Sequence, residues 1–447
     1  MIGATMILAG ALAAGAAEAG EELPRYRLEP GMVLTYKGSG QSRYTRMTSA
    51  EESETTAWVV GRNPDGSVRI VMRQGSRYAS ARDGEAPELD KEPMDHDFGR
   101  VDLFPDGRLG PATETGYRIR PRTIFPRLPE DGDQAKAGWF DADEGSLDGT
   151  RYEAPQAEPG GWMIRAASEG PENRVYESTG RLTYHFDAGR GLIKRVESEH
   201  TQGYGFQGKG TGVVELVSLE TLDEGKLAAF RQAADAYFDA EKSANDAARG
   251  EHDPAKLEAA LASAKAELAK VRDAMSEPTF REALDRRVER FDSLAEYSLD
   301  EARRRAEVVG KPAAGWKAPG LDGKEHDLGD YRGKVVVLDF WYRGCGWCVK
   351  AMPQMNEVAE HFAGKPVAVL GMNTDGDEAD AKLVADVMGL KYGTIRIDRE
   401  LPEKYGVRGF PTVVVIDPEG VVRDLHVGYS KDLRESLAKS IEACLPK

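Results

Sequence analysis

Cys345-Gly346-Trp347-Cys348 places two thiols three positions apart, directly after an apolar run and at the opening of a helical pattern. Residues at i and i+3 share one face of a helical turn, so their sulfurs can come within bonding range. The first thiol lies at the helix N-terminus, where free N–H groups and the macrodipole favour a thiolate. Such placement lowers a thiol pKa from about 8.5 toward 7 or below, and the thiolate is the nucleophile. Arg343, two residues upstream, adds a positive charge whose side-chain direction is open at this level. The competing chemistry is half of a zinc site. Zinc needs two more ligands; the chain has no second cysteine pair, and His326, His361 and His426 show no metal spacing. The third cysteine, Cys444, falls in the last helical stretch and reads as a buried or idle thiol.

The elements that must position this pair occupy only part of the chain. A length of 447 residues implies two to four domains, more than one core can use. Three cysteines exclude a disulfide-stapled scaffold. Acids outnumber bases 76 to 60, a balance that argues against nucleic acid or an anionic membrane surface as the main partner. Residues 1–19 read as a signal peptide: an apolar run from about Met6 to Ala17 ends in Ala17-Glu18-Ala19, a small-x-small cleavage pattern. No Lys or Arg precedes that run, which is atypical. The run is too short to span a bilayer and no later stretch is apolar enough, so no stable membrane insertion is expected.

Residues 24–220 read as an all-β domain. Thr56–Gly61 and Ser67–Arg73 flank the turn signal Asn63-Pro64-Asp65-Gly66 as a candidate hairpin. Later strand-like runs at 161–166, 174–186, 191–200 and 211–220 extend the pattern into a half-open meander or barrel-like sheet of open strand order. Between about 126 and 160 the Gly, Asp, Pro and Glu content reads as a long surface loop. Residues 221–310 switch to helical spacing, as in Phe230, Ala234, Tyr237 and Phe238, with Pro254 and Pro278 at first turns; two or three helices forming a spacer or hairpin are expected. From about 311 to 447 strands alternate with helices, and Lys334–Trp341 and Pro366–Asn373 are strands covered on both faces. Helices are predicted at about 346–362, 377–388 and 430–444, and Thr412–Ile416 with Val421–Val427 forms a hairpin. The fold class is thus multidomain: an N-terminal β domain, a helical middle segment and a C-terminal α/β domain with a mixed sheet.

Asp339-Phe340-Trp341-Tyr342-Arg343-Gly344-Cys345-Gly346-Trp347-Cys348 resembles the active-site segment of the thioredoxin superfamily. Pro353 matches the proline in that family's active-site helix. Tyr405-Gly406-Val407-Arg408-Gly409-Phe410-Pro411-Thr412 resembles its cis-proline segment. Ala318-Pro319-Gly320-Leu321-Asp322-Gly323, with Leu328 and Tyr331-Arg332-Gly333-Lys334, resembles the opening of the exported TlpA/ResA-like branch. The resemblance covers roughly residues 313–447 and implies a C-terminal thioredoxin fold. It implies that Cys345 attacks a substrate disulfide and that the more buried Cys348 resolves the mixed disulfide. Asp339, a carboxylate inside an apolar strand, becomes the candidate base for Cys348, because desolvation raises its pKa. Its neighbours Val337, Leu338 and Phe340 favour that role over a carboxylate turned to solvent or paired with a Lys. Phe410 and Pro411 are implied to receive an extended substrate segment as an added strand. Trp347 between the cysteines is expected to be exposed and substrate-facing, and Trp341 to be core.

The expected activity is thiol–disulfide oxidoreduction, with reduction of extracytoplasmic client proteins as the favoured direction and a membrane electron donor restoring the dithiol. No cofactor or metal is called for. The Gly-Trp dipeptide departs from thioredoxin's own Gly-Pro, which leaves the direction of electron flow open. A peroxiredoxin would place a Pro and a Thr where this chain has Leu338 and Tyr342. Gly203-Tyr204-Gly205-Phe206-Gln207-Gly208 matches a phosphate-loop pattern, but a β-like run follows where a helix is needed, so a Gly-rich hairpin is the better reading. Asp141, Asp143 and Asp148 lack the glycine and glutamate of a calcium loop. The alternative for the whole chain is a ligand- or envelope-binding protein in which the redox domain is accessory.

Overall fold

The computed structural model describes residues 23–82, 85–89, 94–111, 113–115, 119–142, 148–205, 207–249 and 251–445. The signal-peptide assignment at 1–19, and Asp143, lie outside the described residues. Among the described residues of the first half, period-two alternation produces twelve strands: β1 (Met32–Tyr44), β2 (Met47–Arg62), β3 (Val68–Arg82), β4 (Asp95–Leu103), β5 (Glu114–Thr115), β6 (Trp139–Ala142), β7 (Gly149–Tyr152), β8 (Gln156–Glu158), β9 (Gly161–Glu169), β10 (Thr179–Asp187), β11 (Leu192–Gln202) and β12 (Gly208–Thr221). Two short helices, α1 (Gly132–Ala137) and α2 (Pro171–Val175), interrupt them. The sheet order is β5-β4-β3-β2-β1-β12-β11-β10-β9-β7-β6, with β8 on β9. Two meanders are joined where β1 pairs antiparallel with β12. The expected hairpin is present, β2 pairing with β3 across the turn at 63–67. Leu34, Tyr36, Val59 and Ile70 from one meander meet Ile164, Tyr184 and Phe186 from the other in a single apolar core.

The stretch 126–160 is not the long surface loop that its composition indicates. It holds α1, β6, β7 and β8, and Trp139 stacks on Tyr152 with ring centroids 4.9 Å apart. Two buried aromatics suffice to anchor a segment whose remaining residues are polar and turn-forming.

Among the described residues four helices follow rather than two or three: α3 (Glu224–Arg249), α4 (Pro254–Ala274), α5 (Pro278–Glu289) and α6 (Phe291–Val308). Pro254 and Pro278 do open helices, each preceded by an acidic cap, Asp253 or Glu277, that accepts backbone N–H bonds. The break between α5 and α6 falls at Arg290, with no proline or glycine to announce it. These helices pack on the outer face of β2–β4, where Phe280 meets Phe98, Phe230 and Tyr237 at ring-centroid distances of 5.2 Å. Phe280 is fully buried, so Phe280→Ala is expected to cost about 3–5 kcal/mol, read as a lower urea midpoint of the helical circular-dichroism signal.

The chain then enters its α/β region: β13 (Lys317–Pro319), β14 (Glu325–Asp327), β15 (Val335–Trp341), α7 (Gly346–His361), β16 (Val367–Asn373), α8 (Glu378–Met388), β17 (Gly393–Arg396), α9 (Leu401–Lys404), β18 (Thr412–Ile416), β19 (Val422–Val427) and α10 (Leu433–Cys444). The mixed sheet runs β17-β16-β15-β18-β19, parallel on the β16 side of β15 and antiparallel on the β18 side. Each β15 residue is buried, as the continuous apolar run requires. Val335 and Val337 face α7 and α10, while Val336, Leu338 and Phe340 face the opposite layer. Arg305 of α6 binds Asp424 and the Leu425 carbonyl, and Gly310 N–H donates to the Val422 carbonyl at 2.8 Å, tying the helical segment to β19. Among the described residues no helix is long and apolar enough to cross a membrane.

Candidate active site

The extended strand β15 delivers the chain to the N-terminus of α7, with Cys345 as its N-cap. Cys345 and Cys348 form a disulfide, with Cα atoms 5.2 Å apart. Cys345 Sγ also accepts the Cys348 backbone N–H at 3.1 Å, the orientation that would hold a thiolate on the free donors of the first turn. Cys345 is 6% exposed and Cys348 1%, so the first cysteine is the one nearer solvent. Pro353 lies inside α7, as its match to the family's active-site helix requires.

Asp339 is 2% exposed, and strand alternation places it on the same face as Val337 and Trp341, the face that α7 covers. Its carboxylate accepts one hydrogen bond, from Tyr392 Oη at 2.9 Å. Burial pushes its pKa up to about 7, against the opposing effect of the Tyr392 bond. Gly371 lies opposite Asp339 in β16. A Cβ there would come 2.7 Å from Trp341 Nε1 and 3.3 Å from the Tyr392 ring, so the absence of a side chain lets both rings reach the carboxylate's surroundings. Tyr392 was invisible in the sequence reading; no local pattern links it to a strand 53 positions earlier.

The Phe410–Pro411 bond is cis, and the Phe410 ring meets Tyr342 edge-on at 5.2 Å. Trp347 is 40% exposed and stacks on Tyr429, with centroids 5.5 Å apart, whereas Trp341 is fully buried. Phe410 and both cysteines belong to one apolar neighbourhood. Cys444 sits elsewhere, against the α10 side of the sheet, with burial pushing its thiol pKa up.

Arg343 is buried. Its guanidinium donates to the Val175 carbonyl at 3.0 and 2.7 Å, binds Glu177 at 3.0 Å and Asp380 at 2.7 Å, and lies 3.8 Å from the Tyr204 ring centroid. Three of those partners come from the β sheet region, which therefore reaches the redox centre. Tyr204 belongs to the Gly-rich sequence that mimics a phosphate loop; it lies in the connection between β11 and β12, as the hairpin reading requires.

A Redoxin family model matches residues 309–441. Over 143 residues the chain is 33% identical to the thiol-disulfide oxidoreductase ResA of Geobacillus thermodenitrificans, spanning 32% of this chain and 80% of that protein. Over 136 residues it is 32% identical to ResA of Bacillus thuringiensis, spanning 30% of this chain and 78% of that one. Among solved structures, the thioredoxin domain of a thiol-disulfide oxidoreductase from Bacteroides vulgatus is 28% identical, with a TM-score of 0.29 covering 30% of this chain and 98% of that one. Through this C-terminal redoxin region the chain belongs to the thioredoxin superfamily, in its ResA/TlpA-like branch of thiol–disulfide oxidoreductases.

Proposed function

We propose that the protein reduces disulfides of extracytoplasmic client proteins and is returned to the dithiol by a membrane electron donor. The observation that carries this is the Cys345–Cys348 disulfide at the mouth of α7. Cys345 thiolate attacks one sulfur of the client disulfide, and the other leaves as a thiolate. Cys348 then gives its proton to Asp339 and attacks Cys345 Sγ, expelling the second client thiolate. The client gains two electrons, and the enzyme ends as the disulfide. The backbone at Phe410–Pro411 receives the client segment as an added strand, with Trp347 on the exposed flank. The apolar run and cleavage pattern in residues 1–19 support an exported, extracytoplasmic or periplasmic location.

What stabilises the thiolate supports the reductase direction. A strong oxidant is one whose reduced form is strongly stabilised. Here the cation nearest in sequence, Arg343, is engaged by Glu177 and Asp380, which leaves the helix N-terminus to support Cys345. The Cys345–Cys348 couple is therefore expected to lie below the glutathione couple, measured by equilibration in glutathione buffers and alkylation of free thiols. A couple lying well above glutathione would instead establish an oxidase.

A further inference from the structure

The segment Val175–Glu177, the end of α2 and the two residues after it, lies over the redox centre although it belongs to the N-terminal sheet region. Val175 is fully buried in the same apolar cluster as Cys345, Cys348 and Trp341. Tyr176 Oη is buried, makes no hydrogen bond among the described residues, and lies 3.9 Å from where a Cβ on Gly346 would sit. Glu177 adopts a positive φ of 51°, a left-handed conformation that a non-glycine residue keeps only with support from its surroundings. That support is present. Tyr204 N–H donates to the Tyr176 carbonyl at 3.1 Å, and Arg343, two residues before the nucleophile, grips the Val175 carbonyl and the Glu177 carboxylate. Asp380 at the start of α8 holds the other side of the same guanidinium. The wall is thus fastened to both regions at one residue, and Cys345 is left 6% exposed while Trp347 beside it is 40% exposed.

We infer that Val175–Glu177 forms a fixed wall of the redox site that selects client disulfides carried on narrow, extended segments and rejects those on broad folded surfaces. This rests on the proposed reductase activity. An extended strand needs a lateral slot of about 5 Å, the spacing of neighbouring strands in a sheet. A broad surface approaching Cys345 would strike the sheet region before its sulfur came within reach. The β region then acts as a specificity element built into the same chain, its contact made through Tyr176.

The test uses the full-length protein in its reduced state. Alkylation of Cys345 by iodoacetamide and by a polyethylene glycol maleimide is timed and read by peptide mapping, which separates Cys345 from Cys348 and Cys444. A change in thiol pKa moves both rates together, whereas removal of a wall moves the large reagent alone. Tyr176→Ala is expected to raise the large-to-small rate ratio about tenfold over the unmodified chain, because access is one of the factors that set thiol reactivity. Glu177→Gln, a milder change that weakens the Arg343 grip and keeps the ring, is expected to raise it in the same direction by a smaller factor. A ratio unchanged in both folded variants overturns the wall. A second readout compares reduction of a short disulfide peptide with that of a folded protein bearing a surface disulfide. The wild type should favour the peptide, and Tyr176→Ala should narrow that preference; equal preference in both proteins also overturns it. If neither substrate is reduced, the reductase reading has failed, while the alkylation ratio still decides whether the wall exists.

Discussion

Cys345→Ser is expected to leave no measurable disulfide reductase turnover in a turbidity assay with a model disulfide protein, and Cys348→Ser to stop turnover in a different way. A serine hydroxyl at position 345 keeps the N-cap geometry but is too weak a nucleophile to open a disulfide. In Cys348→Ser the attack still occurs and only the resolving thiol is missing, so mixed disulfides between Cys345 and clients should accumulate and be visible on non-reducing gels. The burial order supports this division of labour, with Cys345 at 6% and Cys348 at 1% exposure. The two variants together also decide against the binding-protein alternative. A scaffold with an accessory redox domain would show no defined adducts in Cys348→Ser. Undiminished turnover in Cys345→Ser would sink the enzymatic assignment.

The parts of this site that were legible in the sequence are those whose signal is local. The apolar run Lys334–Trp341 read as a doubly covered strand, and the Cys-x-x-Cys pair after it marked the helix start and pointed to thiol–disulfide chemistry. Pro254 and Pro278 marked helix openings because proline fits the first turn of a helix at no cost in hydrogen bonds. What escaped was carried by contacts between distant segments. Tyr392 reaches Asp339 across the sheet, and nothing in its own neighbourhood reveals a buried carboxylate as its partner. Arg343 was legible as a charge but not as a direction, and its direction decides that the β region meets the redox centre. Tyr204 was hidden inside a pattern that reads as a phosphate-loop mimic. The ordered structure between 126 and 160 was missed because two aromatics, Trp139 and Tyr152, anchor residues that otherwise have loop composition. The break at Arg290 escaped for a related reason: its signals are tertiary, not caps.

Asp339→Asn is expected to slow turnover by about 10²-fold at pH 8, the lower end of what removing a general base costs. The pH profiles give the sharper discrimination. Burial holds the Asp339 carboxyl near 7, so it is a proton acceptor above that pH and an acid below it. Wild-type resolution should therefore fall about tenfold for each pH unit below 7, and the Asn variant should lack that limb. Tyr392→Phe removes a hydrogen bond that favours the ionised form, and should move the limb to higher pH. Stability runs the other way through the same window. The unfolded carboxyl ionises near 3.8 and the folded one near 7, so between those values the native state binds more protons than the unfolded state. The contribution is fully present below about pH 4 and is lost as pH rises through about 7, a total of about 4 kcal/mol. Amide exchange of the strand Val335–Trp341, corrected for intrinsic rates, should show that loss in the wild type and not in Asp339→Asn. A stability profile that is the same in both proteins, with the activity limb intact in the variant, would remove Asp339 from the proton path. A carboxyl that weakens its own fold at the pH where it can accept a proton is what the proposed proton path asks of Asp339, and the packing of β15 alone gives no reason for it.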